Sequence, residues 1–137
     1  MSDKPSFRLI ELPGFHDERG DLTFIEGTGI VPFPVKRVYW ICNVPGDKER
    51  AGHAHKQCEQ LIVALHGSFR VIVDDGHHRE SYLLSSPDDG LLISADFWRS
   101  LDSFSSDAVC LVLDSLPYNE EDYIRDYREF IDYLGDK

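Results

Sequence analysis

Short apolar runs recur along this chain at intervals of about ten residues, each closed by a cluster of turn-forming residues. Read at strand period, they predict β-strands at Phe7 to Leu12, Asp21 to Glu26, Val35 to Val44, Gln60 to Leu65, Phe69 to Asp74, Glu80 to Leu84, Gly90 to Ser94 and Ala108 to Leu113. Glu18-Arg19-Gly20, Val44-Pro45-Gly46, His66-Gly67-Ser68, Asp74-Asp75-Gly76 and Pro87-Asp88-Asp89-Gly90 supply the tight turns between them. Many short strands joined in this way predict an all-β sandwich or barrel. One helix is expected after Pro117, where Asn119 can cap and Glu120, Glu121 and Asp122 sit at the positive end of the dipole. Tyr123, Ile124, Tyr127, Ile131 and Leu134 then recur at helical spacing and would pack against the barrel.

No internal repeat or low-complexity linker interrupts the pattern, and 137 residues suit one domain spanning 1–137. A chain of this length buries roughly two thirds of the surface its unfolded form exposes. No apolar run is long enough to cross a bilayer, and Met1 to Pro5 has neither the basic nor the apolar region of a secretory signal, so a cytoplasmic protein is expected. The formal charge of −11 would repel a phosphate backbone and argues against nucleic acid as a partner. The charge is uneven, however. Between Arg19 and Lys56 six bases face four acids, a local balance of +2, whereas after Leu113 three bases face eight acids. The basic island suits a small anion and the tail a solvated face. Cys42, Cys58 and Cys110 cannot all pair, lie in no C-x-x-C arrangement and have apolar neighbours, so reduced core thiols are expected.

Gly52-His53-Ala54-His55-Lys56 is the most informative stretch. Two histidines two residues apart on an extended chain project to the same face. Such a pair serves either metal ligation, with a third and usually a fourth ligand, or proton transfer near neutral pH. Along Val35 to Val44 the side chains of Arg37, Tyr39 and Ile41 share one face in the same way. His16, His66, His77 and His78 fall in turns or exposed positions and suggest no role.

The His-x-His spacing, closed by Gly67, resembles the first motif of the cupins, in which a Glu follows as a metal ligand. Counting back from Gly67 puts Gln60 at that position, with Glu59 one residue earlier. The second cupin motif should add a histidine, but the stretch from Gly90 through Ser94-Ala95-Asp96-Phe97-Trp98-Arg99 has none. With two of the required ligands present, a barrel that works without a metal is expected.

Over most of its length the chain resembles the sugar 3,4-ketoisomerases, small cupins that act on dTDP-4-keto-6-deoxy-D-glucose in deoxysugar synthesis, including sugars of the lipopolysaccharide O-antigen. The resemblance is carried by Arg19-Gly20-Asp21-Leu22, Pro32-Phe33, Lys36-Arg37-Val38-Tyr39, Arg50 through Lys56, Asp74-Asp75-Gly76, Gly90-Leu91, Trp98-Arg99 and Asp122 through Tyr127. It implies an all-β single-domain jelly-roll barrel with a short C-terminal helix, an isomerase that needs no cofactor, and a homodimer in which the strand at Phe7 to Leu12 crosses to the neighbour. His53 would be the base at C3, with His55 and Tyr39 moving protons to C4 and between the oxygens. Arg19, Arg37, Arg50 and Lys56 are candidates for the diphosphate, with Arg19 and Arg37 favoured. Gln60 would hydrogen-bond the sugar, and Trp98, with Arg99 beside it, would stack on thymine or sugar. A 3,5-epimerase on the same substrate, a non-catalytic sugar-nucleotide-binding cupin, and a metal enzyme using His53, His55 and Glu59 are the competing readings.

Overall fold

The computed structural model describes residues 6–137, and among these twelve strands form. They are β1 (Phe7–Glu11), β2 (Gly14–Asp17), β3 (Gly20–Thr23), β4 (Arg37–Cys42), β5 (Arg50–His55), β6 (Gln60–His66), β7 (Phe69–Asp74), β8 (Arg79–Leu84), β9 (Asp89–Ile93), β10 (Trp98–Asp102), β11 (Val109–Asp114) and β12 (Tyr123–Ile124). Two antiparallel five-stranded sheets, β1-β9-β6-β11-β4 and β12-β5-β10-β7-β8, form the jelly roll, and β2-β3 makes a separate hairpin. Every expected strand is present. The four that were not expected include β5 and β10, whose sequences are too polar to read as core strands because their inward residues line a cavity.

Three clusters hold the layers together. Ile62, Ala64, Phe69, Val71, Leu91 and Val112, with other apolar side chains, fill the space between the sheets. On the far side of the first sheet, Val31, Phe33 and Ile25 from the chain before β4 cover Leu61, Val63 and Leu113. This explains why β6 is apolar without alternation: both of its faces are covered over Gln60 to Ala64. The third cluster packs the helix α1 (Tyr127–Gly135) through Phe130 onto Ala54, Ile124 and the half-buried Trp98.

The C-terminal segment differs from the single helix expected after Pro117. Asn119 does cap a turn, accepting a hydrogen bond from the Glu121 N–H, but that turn is a 3-10 helix of three residues, Glu120–Asp122. Tyr123 and Ile124 then leave it to pair with His55 and Ala54 as β12, so α1 starts only at Tyr127 with Asp126 as its cap. Pairing with β5 satisfies this backbone outside a helix and overrides the helical spacing of the apolar residues. Cys58 and Cys110 are buried as expected. Cys42 is exposed, because it lies on the outward parity of β4 beside Trp40 and Val38.

Candidate active site

A cavity of about 500 Å³ opens between the sheets, lined by inward residues of β4, β5, β6, β10 and β11 and by the C-terminal segment. Strand parity explains most of its walls. Arg37, Tyr39 and Ile41 alternate inward on β4; Gln60 and Ile62 do so on β6, and Arg99 and Leu101 on β10. On β5, Arg50 and His53 both line the cavity although they are three residues apart. A bulge makes this possible. The pairing with β10 runs from Arg99↔His53 to Ser100↔Ala51, skipping Gly52, whose φ of 69° is open to glycine at little cost. The extra residue resets the alternation, so His53 and His55 face the interior.

The two imidazoles meet there. His53 Nε2 lies 3.2 Å from His55 Nε2, with the ring planes perpendicular. His55, deeper and only 1% exposed, donates from Nδ1 to Asp122 Oδ2 at 2.9 Å. Asp122 is itself held by the N–H groups of Gln57 at 2.8 Å and Cys58 at 3.2 Å. The Tyr123 ring rests against both imidazoles, its centroid 4.9 Å from that of His53 and 4.4 Å from that of His55. Burial pushes His55 down to about 2, and the positive charges of Arg99, Arg125 and Arg37 add to the effect, so this imidazole is neutral.

Opposite the histidines, the Tyr39 hydroxyl accepts a hydrogen bond from Gln60 Nε2 at 3.3 Å, and the same amide donates to Asp114 Oδ1 at 2.9 Å. Burial, reinforced by the Asp114 carboxylate, raises the phenol, which therefore carries its proton at neutral pH. Arg99 donates to Gln60 Oε1 at 2.7 Å and to the Phe97 carbonyl at 2.9 Å. It is 1% exposed, and burial lowers it to about 10, which leaves it charged. Arg37 donates to Asp114 Oδ2 at 3.3 Å and to the Tyr123 hydroxyl at 3.2 Å, with its guanidinium 4.5 Å from the Tyr39 ring centre. At the mouth, Arg125 lies over Tyr123 and is held by Glu120. Four guanidinium groups thus line one cavity of an acidic protein.

Of the residues expected from sequence, the cavity brings together His53, Tyr39, Arg37, Arg50, Gln60 and Arg99, with His55 directly behind His53. Three others lie elsewhere. Arg19 sits in the β2-β3 turn, its side chain 86% exposed and paired with Asp17. Lys56 follows the end of β5 and borders a hollow beside α1. Trp98 has the opposite parity to Arg99 and packs its ring edge-on against Tyr127, 5.3 Å away. Glu59 lies in a separate hollow with Pro32 and Leu92, so it does not join the histidines as a third ligand. Gln60 holds the position expected of that ligand, with its amide oxygen accepting from Arg99. His55, Cys58 and Asp122 also bring ligand-type atoms within 4.8 Å of one another, but there the carboxylate already serves the imidazole and two backbone N–H groups.

Sequence reasoning assigns no site role to Asp122, Asp114, Tyr123 or Arg125, although Asp122 through Tyr127 helps to carry the family resemblance. Asp114 continues the inward parity of Cys110 and Val112 on β11, a signal that was available. The other three depend on the C-terminal segment folding back over β5, which no local pattern announces.

A jelly-roll barrel whose cavity combines paired imidazoles, a protonated phenol and several guanidinium groups is a cupin equipped for acid–base chemistry beside an anion. The chain belongs to the sugar 3,4-ketoisomerase family of cupins: the sequence profile of FdtA (WxcM-like, C-terminal) matches residues 5–135. It is 43% identical over 128 residues to the TDP-4-oxo-6-deoxy-alpha-D-glucose-3,4-oxoisomerase of Aneurinibacillus thermoaerophilus, covering 93% of this chain and 92% of that protein. The crystal structure of a 3,4-ketoisomerase from Helicobacter canadensis is similar at 37% identity and a TM-score of 0.91, over 94% of this chain and 97% of that one. A histidine-to-asparagine mutant of the 3,4-ketoisomerase QdtA from Thermoanaerobacterium thermosaccharolyticum, solved with TDP-4-keto-6-deoxyglucose, aligns at 36% identity and a TM-score of 0.93, covering 96% of this chain and 95% of that one. The protein is an isomerase.

Proposed function

We propose that this chain, as a single cupin domain, converts dTDP-4-keto-6-deoxy-D-glucose to a dTDP-3-keto-6-deoxyhexose by proton transfer, without a metal or redox cofactor. The observation that carries the reading is the buried His53–His55 contact in a cavity that Tyr39 and four arginines also line. The ketone at C4 acidifies the hydrogen on C3. His53 takes that hydrogen as a proton; the C3–H electron pair forms the C3–C4 double bond and the C4 oxygen becomes an enolate. Protonation of that oxygen, removal of the proton from the C3 hydroxyl and delivery of a proton to C4 complete an isomerisation in which no atom is gained or lost. Tyr39 serves these transfers at the sugar and His55 serves them through His53, each worth roughly 10²–10⁴-fold.

A charged Arg99 beside Gln60 suits the negative charge that develops on the enolate oxygen, so electrostatic stabilisation comes from the protein itself. The donor set favours the metal-independent reading: where a third ligand would be needed, the cavity offers a neutral amide next to a guanidinium. Arg37, Arg50 and Arg125 are assigned to the diphosphate, since planar guanidinium groups bond phosphate oxygens in pairs. His53→Asn is expected to keep the fold and the affinity for dTDP while losing turnover by about 10²-fold or more. Wild-type rates in that variant would refute the assignment of the base.

The reading includes a homodimer with exchange of the N-terminal strand. Within this chain β1 pairs with β9 from Phe7↔Ile93 to Glu11↔Asp89, a register that β9 of a second copy can offer equally. The β2-β3 hairpin that follows makes its own sheet, and Val38 and Trp40 on the edge strand β4 are exposed, which suits an apolar contact between subunits. A cytoplasmic place in deoxysugar biosynthesis, such as that of O-antigen sugars, fits three free cysteines and can be checked by cell fractionation.

A further inference from the structure

The buried carboxylate of Asp122 bonds the inner histidine of the pair, His55, and it reaches that ring from 67 residues along the chain. Its surroundings fix how it can bond. Oδ1 accepts from the Gln57 N–H, and Oδ2 accepts from the Cys58 N–H and from His55 Nδ1. The segment carrying it is fastened on both sides of Asp122: the Asn119 side chain caps the turn, the Lys56 N–H donates to the Asp122 carbonyl, and Tyr123 and Ile124 pair with His55 and Ala54. A carboxylate so placed can receive only a proton-bearing nitrogen from the imidazole. His55, being neutral, then has its proton on Nδ1 and a lone pair on Nε2, the atom that faces His53 Nε2 at 3.2 Å.

We infer that Asp122 is a positioning residue of the isomerase: by fixing His55 in the Nδ1–H tautomer, it makes His55 the acceptor for the Nε2 proton of His53. This inference rests on His53 being the base. When His53 takes the C3 proton, the new bond forms at Nδ1, because Nε2 already carries the hydrogen that faces the His55 lone pair; the ring becomes an imidazolium with its Nε2–H aimed at that lone pair. That proton can cross to His55 Nε2, leaving His53 neutral and His55 protonated on both nitrogens beside the Asp122 carboxylate, and it returns by the reverse step. No proton or electron is created or lost. Arg99, Arg125 and Arg37 oppose a lasting positive charge on His55, which keeps the transfer reversible. The acid thus acts on the chemistry through His55 without touching substrate.

Asp122→Asn separates this role from simple support of the fold. With the asparagine oxygen in the place of Oδ1, Gln57 keeps its acceptor, whereas the Cys58 N–H, which shares Oδ2 with His55, loses its own. Its NH2, however, presents a donor to His55 Nδ1 and forces the proton to Nε2, which then points a donor at His53. The expected result is a fall in kcat of about 10²-fold or more, with KM within about threefold and cooperative unfolding retained at a lower midpoint, because one buried N–H has lost its acceptor. Long-range ¹H–¹⁵N spectra of the imidazoles should show His55 as the Nδ1–H tautomer in wild type and as Nε2–H in the variant. An Nε2–H tautomer for His55 in wild type would overturn the inference whatever the variant does, and so would unchanged kcat in a folded Asp122→Asn. Because the wild-type spectrum involves no turnover, it stays informative even if His53→Asn shows that His53 is not the base.

Discussion

His55 is among the largest side chains that the fold hides completely, yet it is an imidazole, a group whose ordinary titration lies near pH 6.5. Holding it neutral has a consequence for stability. Folded, it resists protonation down to about 2, whereas in the unfolded chain it charges at its ordinary value. Between those values the unfolded state binds the extra proton. The stability associated with a neutral His55 is therefore fully present above about pH 6.5 and declines as the pH falls, by at most about 1.4 kcal/mol per pH unit from this one group. Urea unfolding of wild type and His55→Gln between about pH 4 and 7 checks the sign: the variant should show a shallower loss on acidification, and an equal slope in both proteins would mean that His55 is protonated in the folded state. The candidacy of His53, His55 and Tyr39 was legible in the sequence from spacing and parity, and that of Gln60 from the resemblance to the cupin motif. Asp122 was not, since its part in the site comes from a contact between distant segments.

At the scale of elements, the site depends on one irregularity in β5. The strands of the core announced themselves by alternation or by continuous apolar runs, but β5 and β10 did not, because a strand that lines a polar cavity loses the pattern by which strands are recognised. Gly52 is the residue that makes β5 work, since its positive φ absorbs the bulge that lets Arg50 and His53 share a face. A Cβ added there would meet no atom within 4 Å, so substitution carries a backbone cost alone. Gly52→Ala is expected to lower stability by about 1–2 kcal/mol and Gly52→Asn by less, because Asn tolerates this region better. Both should depress kcat more than affinity for dTDP if the bulge relaxes and turns His53. Thermal unfolding together with steady-state kinetics tests this, and an alanine variant with wild-type stability and rate would contradict it. The helix end was misplaced for the opposite reason: Tyr123 and Ile124 have helical spacing with Tyr127 and Ile131, but the exposed backbone of β5 competes for them and prevails.

For the whole molecule, the charge map and the barrel combine into one design. A net charge of −11 keeps polyanions away, while Arg37, Arg50, Arg99 and Arg125 gather on the inside of the barrel, where a small anion can reach them. The total charge was legible from composition; the convergence of these four groups was not, because β4, β5, β10 and the C-terminal segment meet only in the folded barrel. Assembly belongs to this scale as well. Light scattering at micromolar concentration is expected to give twice the chain mass, and a monomer would contradict the exchanged dimer.

The most direct test is NMR of the product formed from dTDP-4-keto-6-deoxy-D-glucose in deuterated buffer. The carbonyl carbon should disappear from C4 and appear at C3, with hydrogen now bonded to C4. A carbonyl that stays at C4 while hydrogen exchanges at C3 and C5, or a sugar nucleotide recovered unchanged from saturating enzyme, would contradict isomerisation by this cavity.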